Sequence, residues 1–198
     1  MKKILALMLV LSFCLFLFAC GDDGDVPSGM KLASKEDNID YKLFVPDNGS
    51  DGWIVSQATS TTTQAFASNS DRTNVIVNQW NITENTKTVD EWWKNEYKPQ
   101  VFKAGAVQKP EIEKNEDGTE GVNVTLGGKP GKKFVYTGLV GDAHFRYDVY
   151  ACVANGSIYV IHVTYMEDGD PNSDKATFSA VESRKTEIEA IIGNFRFN

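Results

Sequence analysis

The sharpest pattern in the chain lies in its C-terminal third. Two runs rich in apolar, β-branched and aromatic residues, 145–154 and 157–166, flank Asn155-Gly156. Asn-Gly supplies the two positive-φ positions of a type I′ turn, so the pattern predicts a tight antiparallel hairpin. Earlier β-type runs occupy 41–45, 53–56 and 74–80, the first two separated by the turn chemistry of Pro46-Asp47-Asn48-Gly49. A Thr-rich stretch at 59–63 leads into Gln64-Ala65-Phe66-Ala67. Runs at 107–114, 120–126 and 133–140 follow, the first closed by a turn at Glu116-Asp117-Gly118.

Two segments change to a helical period. Thr88-Val89-Asp90-Glu91 matches a capping box and opens the first helix. Pro99 disfavours its continuation, so the regular helix is expected to end near Tyr97, with at most an extra turn to Lys103. A second helix is predicted over 174–192, where Phe178, Val181, Ile188, Ile191 and Ile192 fall on one face. Gly193 is the expected C-cap, and Phe195-Arg196-Phe197 reads as a closing strand. Together these elements predict an α+β domain over 39–198: an antiparallel sheet of about six to eight strands flanked by two main helices.

The N-terminus has a different pattern. Lys2 and Lys3 precede residues 4–18, an apolar run interrupted only by Ser12. A membrane-spanning helix needs about 20 apolar residues, and this run has the length and flanks of a signal h-region. It ends in Leu17-Phe18-Ala19-Cys20, which resembles the lipobox of bacterial lipoproteins, although Phe18 is bulkier than usual there. The resemblance implies cleavage after residue 19, diacylglyceryl transfer to the Cys20 thiol and anchoring at the extracytoplasmic face of the cell membrane or outer membrane; two acyl chains hold a protein stably. The alternative is an ordinary secreted protein cut after Ala19. Residues 20–38, polar and rich in Gly and Asp, read as the lipidated cysteine and a flexible tether. Asp22, Asp23 and Asp25 within it read as a solvated acidic leader.

The layout of the domain resembles the PsbP-like fold, an antiparallel sheet between helices that includes small bacterial lipoproteins. The matching stretches are 41–53, 74–80, the helix at Thr88, the turn Gly127-Gly128-Lys129-Pro130-Gly131 leading into 133–136, the run 158–165 and the ending 191–197. The resemblance implies a non-enzymatic accessory or binding role and transfers no individual functional residue.

Charge and cysteine content narrow the partners. The formal net charge is −7 and no basic cluster is present, which argues against nucleic acid and against electrostatic membrane binding. Attachment to a membrane then rests on the lipid, and the remaining partner is an unknown protein or a small ligand. With Cys14 in the leader and Cys20 lipidated, Cys152 is alone in the mature chain and reads as a small core residue.

No catalytic constellation stands out. A two-residue hairpin turn sets His162 opposite Val149 and His144 opposite Glu167. The two histidines then lie on opposite sheet faces and roughly 17 Å apart along the strand, which excludes one shared site. There is no Gly-x-Ser-x-Gly elbow. Gly127-Gly128-Lys129-Pro130-Gly131-Lys132 hints at a phosphate loop, but it joins strands and lacks a following Ser or Thr, so a hairpin turn explains it better. Asp168, Asp170, Asn172 and Asp174 resemble the first half of a calcium loop without its closing glutamate; the other reading is a polar turn capping the helix. Trp92 and Trp93 cannot both face the same way, and an exposed one would suit a partner. Arg146, Asp148, Tyr150, Tyr159 and Tyr165 share one hairpin face, which suits either a partner surface or a sheet face under a helix with Arg146 and Asp148 paired. The leading expectation is a membrane-anchored, non-catalytic accessory or binding module without a cofactor. A calcium-dependent module is the runner-up, and a hydrolase comes third.

Overall fold

The structure is a computed structural model and describes residues 26–34, 40–49, 52–56, 63–69, 71–168 and 177–198. Its centre is the predicted hairpin. Strands β10 (Ala143–Ala154) and β11 (Ser157–Met166) pair antiparallel with Val149 opposite His162. Asn155 and Gly156 take φ of 47° and 74°, as a type I′ turn requires.

The other strands extend this pair on both sides. On one side lie β6 (Asn74–Asn81), β5 (Thr63–Ser68) and β4 (Ile54–Ser56). On the other is β9 (Lys129–Val140), whose outer edge is shared between β7 (Gln108–Ile112) and β8 (Val122–Leu126). The result is an eight-stranded antiparallel sheet. The turn between β8 and β9 is Gly127-Gly128 alone, and β9 starts four residues before the expected position. Gly131 therefore lies inside the strand. A Cβ there would come within 2.3 Å of the Ala151 carbonyl oxygen on β10, so close backbone approach needs glycine.

Alternation along the strands makes two apolar faces, each covered. One face carries Val75, Val77, Cys152, Ile161, Val163 and Tyr165. Above it lie α2 (Ser179–Ser183), α3 (Lys185–Asn194) and the N-terminal strands β1 (Met30–Leu32), β2 (Tyr41–Lys42) and β3 (Phe44–Pro46). The closing strand β12 (Arg196–Phe197) pairs with β2. The opposite face carries Phe134, Tyr136, Val149, Ile158 and Val160 under the first helix.

Three expectations need correction. Residues 20–38 are not wholly a tether: β1 pairs with β3, Ala33 and Ser34 are buried, and the Ser34 hydroxyl accepts the Leu43 N–H at 3.0 Å. Its partner strand lies a dozen residues on, so no local pattern marks it. The second helix breaks at Arg184, whose guanidinium is held by Asp71 at 2.6 Å and Glu187 at 3.1 Å. The predicted start at 174 falls outside the described residues. Gly193 is not its cap: the helix runs to Asn194 and is ended by Phe195, buried 5.3 Å from the Tyr41 ring.

The first helix begins as expected. The Thr88 hydroxyl accepts the Glu91 N–H at 3.2 Å, and the Glu91 carboxylate accepts the Thr88 N–H at 2.9 Å. Only α1 (Val89–Trp92) has α-type winding, and two π-helical turns follow, Trp93–Tyr97 and Pro99–Lys103. Helical winding thus continues through Pro99. In wider π winding the proline ring escapes the carbonyl four residues back, which it would meet in an α-helix.

Candidate functional site

The π turns and the end of β6 build the most distinctive surface among the described residues. Capping at Thr88 fixes where α1 starts and so aims Trp92 and Trp93 at the sheet. Trp93 stacks on Phe134 with ring centroids 4.1 Å apart and planes within 7°. Its Nε1 donates to Glu120 Oε2 at 2.6 Å, and Lys98 holds the same carboxylate at 2.9 Å. Burial alone would raise the Glu120 carboxyl, but the Trp93 hydrogen bond and Lys98 outweigh it and hold the group below its ordinary value.

One turn further along, Tyr97 reaches the sheet centre. Its hydroxyl lies 2.8 Å from the Tyr136 hydroxyl and 2.9 Å from His162 Nε2, and Asn78 Nδ2 lies 3.2 Å from His162 Nδ1. With Asn78 donating to Nδ1, Nε2 carries the proton and donates to Tyr97. Burial raises the Tyr97 and Tyr136 hydroxyls and pushes the His162 imidazole down to about 4. The network is therefore neutral, and both His162 nitrogens are engaged.

That shift has a measurable consequence. Above pH 6.5 the imidazole is neutral in both folded and unfolded chains and adds no pH dependence. Between 6.5 and about 4 only the unfolded chain takes the proton, so stability falls as pH falls. Because the ring keeps some solvent contact, the expected loss is about 2 kcal/mol. Asp71 and Glu120, held below their ordinary values, weaken only at lower pH. Urea denaturation at several pH values should give a flatter profile for His162→Gln; parallel profiles would refute the assignment.

Beside this network a groove of about 390 Å³ opens along the end of β6. Asn78, Gln79, Trp80 and Asn81 line it from the strand, Thr83 from the following turn, and Glu96 and Gln100 from the π turns. Trp80 is half-buried, with its ring set against Trp92 at 5.6 Å and Tyr97 at 6.3 Å. Asn81 and Gln100 are exposed, and neither carboxamide has a hydrogen-bond partner among the described residues. This set is not among the site residues expected from the sequence. The available signal was the run Asn78-Gln79-Trp80-Asn81, where carboxamides sit on both faces of a strand otherwise apolar on one.

The residues singled out from sequence are placed elsewhere. Trp92 and Trp93 are both buried, at 0% and 3% exposure, because the first packs among Trp80 and Tyr97 and the second on Phe134. Asp148, Tyr150, Tyr159 and Tyr165 are also buried, and Arg146 is half-buried. They share a face as the register requires, but α3 and the N-terminal strands cover much of it, so they form no partner surface. Arg146 pairs with Asp148 at 3.0 Å and with Glu113 at 2.7 Å, and Lys133 pairs with Asp148 at 2.7 Å. Glu113, Lys133 and Arg146 line a smaller groove of about 230 Å³.

His162 and His144 lie on opposite faces by register, and His144 Nδ1 meets Glu167 at 2.8 Å. The Asp168 carboxylate accepts the Ser179 N–H at the start of α2. Asp170, Asn172 and Asp174 lie outside the described residues, as does Cys20. Cys152 is fully buried, and burial pushes its thiol up to about 12.

No family model matches the chain, and no curated protein sequence matches it. Solved structures do. The solution structure of cyanobacterial PsbP (CyanoP) from Synechocystis sp. PCC 6803 superposes with a TM-score of 0.54 at 14% identity, over 92% of this chain and 99% of that one. The fold is PsbP-like. A weaker match, TM-score 0.40 at 12% identity, is LpqN involved in cell envelope biogenesis of Mycobacterium tuberculosis, over 90% of this chain and 87% of that one. The PsbP-like architecture explains the sandwich of helices and sheet, while the π-turn groove is described by this chain's own residues.

Proposed function

We infer that the protein is an extracytoplasmic lipoprotein whose PsbP-like domain is held at a membrane surface by Cys20 and acts as a non-catalytic binding or accessory module. The carrying observation is the leader: Lys2 and Lys3, the apolar run 4–18, and Leu17-Phe18-Ala19-Cys20. The chemistry of the domain supports the absence of catalysis in this reading. Both His162 nitrogens are bonded, His144 is paired with Glu167, and the Cys152 thiol is buried with its pKa raised, so it stays protonated and poorly nucleophilic. The groove beside the π turns is the surface on which such a module would take its ligand.

The anchor is tested directly. In cells fed labelled fatty acid, the wild-type chain should carry label and sediment with membranes. Cys20→Ser should carry none and either leave the membrane fraction or accumulate as uncut precursor. Normal processing with unchanged, detergent-requiring membrane association in the variant would overturn the reading.

A further inference from the structure

We propose that the groove beside the π turns binds a neutral saccharide, with the Trp80 indole as platform and the Gln100 carboxamide and Glu96 carboxylate as hydroxyl-recognising groups. This rests on the reading of the domain as a binding module and names its ligand class.

The lining excludes other ligand chemistries in turn. Among the described residues no lysine or arginine lines the groove, and Glu96 contributes a carboxylate, so phosphates and carboxylates meet repulsion. Trp80 is the single apolar side chain among the described lining residues, so an acyl chain would cover the exposed Gln100 carboxamide and the Glu96 carboxylate without pairing them. A quaternary ammonium is held by several aromatic faces, and one is present.

A neutral polyol matches what remains. A pyranose ring has an apolar C–H face that lies flat on an indole, and its hydroxyls project sideways as paired donors and acceptors. Each carboxamide offers both a donor and an acceptor, and a carboxylate accepts strongly from hydroxyl groups. Gln100 stands exposed on the second π turn, on the Trp80 side of the sheet, whereas Asn81 follows Trp80 on the strand and faces the other side with Gln79 and Ser157. Glu96 is already oriented by the Thr83 hydroxyl at 3.3 Å. Trp80 is fixed by Trp92 and Tyr97, so little freedom is lost when a ring stacks on it. The π winding matters here: Glu96 and Gln100 flank the cluster from successive turns while Tyr97 between them points into the sheet.

The test is nitrogen-15 NMR and calorimetry on the full chain, in a detergent without a sugar headgroup. Glucose, N-acetylglucosamine, maltose and N,N′-diacetylchitobiose are the probes, with inorganic phosphate and octanoate as controls. At least one saccharide should shift the Trp80 indole and Gln100 side-chain signals saturably in the millimolar range. Gln100→Ala, at an exposed position, should weaken binding roughly three- to tenfold with unchanged melting temperature. Trp80→Ala should weaken it about tenfold. The proposal is overturned if no saccharide binds, if the variants bind as well as wild type, or if phosphate or octanoate binds better. Failed saccharide binding with intact fatty-acid labelling refutes the ligand class alone. Intact binding with failed labelling refutes the anchor alone.

Discussion

Trp93→Ala should lower the unfolding free energy by about 3–5 kcal/mol, the cost of truncating a buried tryptophan. The side chain is 3% exposed and fills the space between the first π turn and Phe134. Its loss also removes a hydrogen bond from Glu120, leaving that carboxylate to Lys98 alone. The neighbouring tryptophan provides an internal comparison. Trp92 is fully buried, and its Nε1 has no hydrogen-bond partner among the described residues, so Trp92→Phe sheds an unsatisfied donor with part of the indole. Trp93→Phe gives up a satisfied hydrogen bond and should be the more damaging of the two phenylalanine substitutions. Equilibrium denaturation in urea measures the difference. If Trp92→Phe proves the costlier, the Glu120 contact contributes less than the packing around Trp92.

Asp148→Ala should cost about 3 kcal/mol by a different route. Asp148 is 3% exposed and accepts from both Lys133 and Arg146. Burial alone would lower the Lys133 pKa, but the Asp148 charge outweighs it and holds the ammonium above its ordinary value. Removing the carboxylate leaves two partly buried cations beside each other, and breaking such a group costs more than forming it gained. Both cations keep some water contact, which sets the expected loss at the lower end of the usual 3–5 kcal/mol range. The double variant Asp148→Ala with Lys133→Met removes one uncompensated charge and should recover part of the loss. A double variant no more stable than the single one would show that Asp148 acts through packing and not through charge.

The element pattern was legible in the sequence wherever a rule is local. Asn155-Gly156 dictated the hairpin and its register, because a two-residue turn leaves one pairing and side chains alternate strictly. That register then placed His144 and His162 on opposite faces without further information. The Thr88 capping box marked the helix start because its two hydrogen bonds lie within four residues. Fold class followed from the order of such elements.

What the sequence could not decide depends on partners distant along the chain. Whether Trp92 and Trp93 face solvent turns on Trp80 and Phe134, which local periodicity does not bring together. The Tyr150, Tyr159 and Tyr165 face reads equally well as an interface or as a core until Ala180, Ile188 and Ile191 are laid over it. Strand β1 looked like tether because its partner is β3 and its own residues carry no alternation. The π winding arises where a proline must be carried through a helix already pinned to the sheet by Trp93 and Tyr97. That winding sets Glu96 and Gln100 beside Trp80, so the candidate site exists only after folding. The sequence by itself determined the turns and the alternation, because each is settled by neighbours. Tertiary structure alone decided which apolar faces are covered and which polar groups meet in a groove, because both are set by contacts between segments far apart in the chain.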